Sequence, residues 1–89
     1  MIPKNITRDA ILKAIQKIEE DKERIPKKRL STKYHLTYGG QAYPPKYVIS
    51  VANGIINGKE LEPYEFEGGK ESNTFLASLG FEIREVTSS

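Results

Sequence analysis

Apolar residues recur at helical spacing near the start of the chain: Ile11, Ala14, Ile15 and Ile18, with Ile25 further on. Lys13, Lys17, Glu20 and Lys22 fall between them, so the pattern predicts a helix with one buried face. Thr7 stands at the position of an N-cap, flanked by Ile6 and Ile11 at the spacing of a hydrophobic staple. Pro26 cannot continue a helix, which places the expected end near Arg24 or Ile25.

The pattern then changes period. Tyr34 to Tyr38 (YHLTY) alternates as a strand, Gly39-Gly40 reads as a two-residue hairpin turn, and Gln41 to Tyr43 is the return strand. With that turn Tyr38 opposes Gln41 and Leu36 opposes Tyr43, so Tyr34, Leu36, Tyr38 and Tyr43 share the core-facing side. Pro44-Pro45 ends the strand, and Pro45 suits the first position of a second helix. Val48, Val51, Ala52 and Ile55 supply that helix's buried stripe, and Asn57-Gly58 closes it. GKELEPYEFEGG reads as a loop anchored in the core by Leu61, Tyr64 and Phe66. A third helix is expected from Lys70 to Leu79, with Phe75, Leu76 and Leu79 buried. Gly80 is its left-handed stop, and Phe81 packs back on Leu76. Phe81 to Val86 is the last strand, too short to stand alone and expected to join the hairpin. The predicted order is α-β-β-α-α-β: a small single α+β domain, winged-helix-like, with three helices and a three-stranded antiparallel sheet.

Composition narrows the class. Eighty-nine residues make one domain, and the chain has no cysteine, hence no disulfide and no thiolate metal site. MIPKNITRD lacks the apolar core of a signal peptide and no run approaches a membrane span, so a cytoplasmic location without membrane contact is expected. The net charge of +2 is unevenly spread. Residues 1–59 carry twelve Lys/Arg against five Asp/Glu, whereas residues 60–89 carry two against seven. Such polarity fits a face for an anionic partner, and equally a solvated basic helix followed by an acidic loop.

Enzyme chemistry finds little support. His35 is the single histidine, no metal-ligand spacing exists, and there is neither a nucleophile elbow nor a P-loop. Catalytic residues, metal and cofactors are therefore expected to be none. Binding fares better. Lys27, Lys28, Arg29 and Lys33 crowd one segment suited to a phosphate backbone. Two helix starts, Pro44-Pro45-Lys46 and Gly68-Gly69-Lys70, each place a lysine beside exposed N–H groups, the elements of an anion site. Ser72, Asn73 and Thr74 follow as donors for phosphate or base edges.

These segments carry a resemblance. An ITRDAILKAI helix is followed by YGG-x-x-YPPKYVISVANG, then L-x-P-x-x-F-x-GG-x-E-x-N-x-FL-x-SLGF. In that order they resemble a small domain at the N-termini of modification-dependent (type IV, Mcr-type) restriction enzymes, over about Ile6 to Ile83. The resemblance implies a module that binds double-stranded DNA carrying a modified base, methylated DNA being the first expectation. Cleavage would then belong to nuclease or GTP-driven motor domains in the same chain or complex. It points to Tyr43, Lys46 and Tyr47 at the second helix and to Gly68, Gly69, Lys70, Glu71 and Asn73 at the third, with Tyr47, Phe66 and Leu79 as core. On this reading the chain is the N-terminal piece of a longer restriction protein. Two rivals stand beside it: a sequence-neutral DNA-binding module using the same lysines, and a protein-docking module acting through the acidic 60–67 loop.

Overall fold

The Thr7 hydroxyl accepts a hydrogen bond from the Ala10 N–H at 3.2 Å, and helix α1 follows over Arg8–Glu20. Ile6 and Ile11 close the staple at 2% and 0% exposure. The computed structural model describes residues 2–21, 34–66 and 69–85. Helix α1 stops at Glu20, earlier than the periodicity predicts, because Asp21 leaves helical geometry at φ −150°. Three consecutive acids, Glu19, Glu20 and Asp21, sit at the negative end of the helix dipole, which opposes further turns.

Strands β1 (Tyr34–Tyr38) and β2 (Gln41–Tyr43) join through Gly39 and Gly40 at φ 58° and 78°, the signs a type I′ turn requires. The register pairs Leu36 with Tyr43 and Tyr38 with Gln41, as the two-residue turn predicts. The inner face fades toward the turn: Leu36 is 0% exposed, Tyr43 4% and Tyr38 42%. Strand β3 (Glu82–Glu85) pairs antiparallel with the other edge of β1, giving the order β2-β1-β3. Across that edge the Thr37 hydroxyl donates to Glu82 Oε2 at 2.6 Å. That bond, with help from the Arg84 charge, holds the Glu82 carboxyl below its ordinary range.

Helix α2 spans Pro45–Asn57 and ends on Gly58 in the left-handed region, whose N–H returns to the Gly54 carbonyl. Val48, Val51 and Ala52 are buried as expected, but Ile55 is not. Ile55 lies 38% exposed, whereas Ile49, off the expected stripe, is fully enclosed and widens the buried face. The helix packs chiefly on α1 and is covered on a broad front through Asn53, and its last turn runs past that cover. The loop after it is tied back by Ser50, whose hydroxyl donates to the Leu61 carbonyl, and by Asn53, which donates to the Lys59 carbonyl. A single 3-10 turn, Pro63–Glu65, leads on toward helix α3 (Lys70–Ser78).

Helix α3 stops where the sequence predicts: Gly80 takes φ 91° and the Phe81 N–H reaches the Leu76 carbonyl at 3.1 Å. Leu76 and Phe81 are buried, while Phe75 and Leu79 only flank the core. Arg8, at the start of α1, donates to the Leu79 carbonyl at 3.0 Å and lies 4.9 Å over the Phe81 ring. It therefore ties the first helix to the end of the third. Arg8→Ala is expected to cost about 1 kcal/mol, from a lost carbonyl contact and a lost cation–π contact, and to lower the urea midpoint accordingly. Arg8→Lys is expected to restore only part of that loss, because a lysine lacks the flat guanidinium that does both.

Candidate nucleic-acid interface

The three helices begin differently. Helix α1 has the Thr7 cap and Asp9 in its first turn, so its positive end is already answered. Helix α2 begins on Pro44 with no side-chain cap and no acid in its first turn, and Lys46 is its second residue. Helix α3 begins on Gly69 at φ 60° and ψ −115°, again with no side-chain cap; Lys70 is its first residue, and Glu71 in the same turn partly answers its positive end. A residue with a Cβ resists that backbone geometry. The added Cβ would also stand 3.8 Å from the Tyr34 ring.

Two contacts bring these starts into one region. Lys46 Nζ lies 4.8 Å over the ring of Phe66, which is buried just ahead of α3. Tyr34, the first residue of β1, lies against Gly69. The start of α2, the approach to α3 and the start of β1 thus share a corner of the molecule. Lys46 is half-buried there and Lys70 exposed. Lys27, Lys28, Arg29, Lys33 and Gly68 lie outside the described residues.

Not every expected contact residue faces outward. Tyr43 is 4% exposed, because it opposes Leu36 on the inner face of the sheet, and its hydroxyl donates to Glu19 Oε2 at 2.6 Å. Ser72 is fully enclosed, on the same helical face as Leu76 four residues on. Both side chains belong to the core. Asn73 is half-buried and its Oδ1 is enclosed without a hydrogen-bond partner among the described residues, while its N–H donates to the Gly69 carbonyl at 2.8 Å. Glu71 serves the fold, since its carboxylate accepts the Ile2 N–H at 3.2 Å and so fixes the start of the chain on α3.

Tyr64, expected in the core, is instead 85% exposed. Glu62 and Glu65 form a reciprocal capping box around the 3-10 turn, so Leu61 and Phe66 point inward and Tyr64 outward. Nothing in the sequence singles out Glu19. Its partnership with Tyr43 arises only when α1 packs on the hairpin, and no local spacing announces it.

Burial, with the Glu19 hydrogen bond and charge adding to it, pushes the Tyr43 phenol up from 10.0 to about 12. The folded chain therefore holds this proton more tightly than the unfolded chain. The resulting stability is complete below pH 10 and is lost as the pH rises toward 12. Tyr43→Phe is expected to cost about 1 kcal/mol at neutral pH, where the hydrogen bond is lost. Its alkaline decline should also be shallower, which urea unfolding at pH 7 and pH 11 compares directly.

Among the described residues no helix is long and apolar enough to cross a membrane, and no cluster of His, Asp or Glu is arranged to hold a metal ion. No curated protein and no solved structure matches the chain. A family model does, over residues 4–85, nearly the same span as the sequence resemblance from about Ile6 to Ile83. The chain belongs to the ScoMcrA-like N-terminal head domain family.

Proposed function

We propose that this domain is the DNA-binding specificity module of an Mcr-type, type IV restriction enzyme, and that it helps recognise duplex DNA carrying a modified base. Family membership supports the restriction context. The observation that carries the binding surface is the corner where Lys46 and Lys70 stand at two helix starts without side-chain caps. Aligned N–H groups and a lysine together favour a phosphate oxygen. Lys27, Lys28, Arg29 and Lys33 belong to the segment bonded directly to Tyr34, itself part of the corner, and would extend the contact along the backbone. Gly69, held in a geometry that a side chain resists, would let a phosphate approach the first turn of α3, and Asn73 is the half-buried polar side chain of that turn assigned to discrimination. Cleavage is assigned to other domains or subunits.

The test is a titration of the domain with matched short duplexes, plain and carrying each common modified base, at two salt concentrations. Tighter binding to one modification, with a salt slope of several phosphate contacts, is the expected result. Equal, salt-sensitive binding would reduce the domain to a sequence-neutral affinity module. A second reading, docking of a nuclease or motor subunit through the acidic 60–67 stretch, is favoured by the exposed Tyr64 between Glu62 and Glu65. It predicts no duplex binding at either salt, and loss of the partner on charge reversal of Glu62 and Glu65.

A further inference from the structure

Helix α2 carries two Asn-Gly pairs, Asn53-Gly54 inside it and Asn57-Gly58 at its end. In such a pair the glycine nitrogen has no side chain beside it and can attack the asparagine amide carbon. At the second pair a bond would form from the Gly58 nitrogen to Asn57 Cγ, and the Cγ–Nδ2 bond would break. The amide nitrogen leaves as ammonia, taking the proton of the peptide nitrogen. Water then opens the resulting succinimide at either carbonyl, leaving aspartate or isoaspartate. Among the described residues, nothing beyond its chain neighbours stands within 4 Å of the place a Cβ would take at Gly58, which leaves room for that water.

We propose that Asn57 is a deamidation site that the fold holds latched, and that the latch is a chain of amides running from Asn5 to Asn53. Asn5 Nδ2 donates to Asn57 Oδ1 at 2.6 Å, and Asn57 Nδ2 donates back to Asn5 Oδ1 at 3.1 Å. Asn57 Nδ2 also donates to Asn53 Oδ1 at 2.6 Å, and Asn53 Nδ2 donates to the Lys59 carbonyl at 2.6 Å. The attacking nitrogen is held as well, since the Gly58 N–H donates to the Gly54 carbonyl at 3.0 Å. For Cγ to meet that nitrogen, the Asn57 side chain must leave both amide partners and the last turn of α2 must open. The product cannot close the latch again. A carboxylate at position 57 has no hydrogen to give. Asn5 can turn its amide to donate to it, but Asn53 cannot do so without releasing the Lys59 carbonyl. The new negative charge also falls at the negative end of the α2 dipole. Conversion therefore runs one way, and it loosens the tie between the segment ahead of α1 and the end of α2. No residue of the latch belongs to the proposed DNA surface, so either reading can fail alone.

The test keeps the 89-residue chain folded at mildly alkaline pH and follows aspartate and isoaspartate at position 57 by peptide mapping and mass spectrometry. Conversion in the folded parent is expected to be about tenfold slower, or more, than in the same chain unfolded in urea, because several hydrogen bonds must open first. Asn5→Ala, at an exposed position, should speed it about fivefold, with circular dichroism showing that the chain stays folded. Lys4→Ala, next to it and outside the latch, should leave the rate unchanged. Asn53, whose glycine lies inside the helix, should stay intact in every folded chain. Three results would overturn the proposal: equal rates in the folded and unfolded parent; Asn5→Ala converting no faster than Lys4→Ala; or Asn53 converting before Asn57 in the folded parent.

Discussion

A chain carrying Lys46→Glu and Lys70→Glu is expected to bind a plain duplex roughly a hundredfold more weakly than the parent. Hydrogen bonds to charged groups contribute about 1.5–3 kcal/mol each, and the lower figure is already close to tenfold per lysine. The salt slope should fall by about 2, one counterion for each lost phosphate contact. Folding is expected to be almost unaffected. A glutamate in the first turn of a helix is favoured by the dipole by about 0.3–1 kcal/mol, which works against the loss of the Lys46 contacts, that with the Phe66 ring among them. Binding and stability are thereby separated in one variant. Lys59→Glu is the control: an exposed charge beyond the end of α2, away from any helix start, it should alter affinity about twofold at most. Unchanged affinity in the double variant, with the Lys59 variant impaired, would remove the two helix starts from the interface.

Leu36→Ala carries the largest expected cost to the fold. Leu36 is the middle residue of the central strand, is fully enclosed, and pairs with Tyr43 on one side and Ile83 on the other. Truncating a buried leucine to alanine costs about 3 kcal/mol or more, a large share of what a domain of this size has. Thermal unfolding should fall by roughly 15–20 °C. Tyr38→Ala, two residues on and on the same face, should shift it by only a few degrees, because its 42% exposure leaves less packing to lose. Equal losses at the two positions would mean that the inner face does not fade toward the turn.

What the sequence makes legible is what local chemistry decides. The Thr7 cap, the Gly39-Gly40 turn with its register, the Pro45 start of α2 and the Gly80 stop of α3 each depend on neighbours within a few residues. The misreadings share a different cause. Ile55 lies on the apolar stripe with Val48 and Val51, and only how far the core extends along α2 decides whether its last turn is covered. Tyr64 lies in an apolar series with Leu61 and Phe66, but the capping box turns it outward. Ser72 has a side chain suited to DNA and only the packing of α3 encloses it, whereas the burial of Tyr43 follows the core-facing register that the two-residue turn already sets. Lys46 and Lys70 are legible as helix-start lysines, since proline and glycine mark those starts. That Lys46 packs on Phe66, and that Tyr34 lies against Gly69, is not.

The central place of β1 also sets an order of assembly. Its bonds to β2 close across a two-residue turn and can form within microseconds, whereas its bonds to β3 join residues as distant as Tyr34 and Glu85. The Ile2–Glu71 contact spans 69 positions. Until β3 is available, β1 has a bare edge and Leu36 lacks Ile83. During synthesis, then, the helix pair α1–α2 and the hairpin can gather early, but the sheet waits for nearly the last described residue. Over that interval an exposed edge strand is open to pairing with another chain.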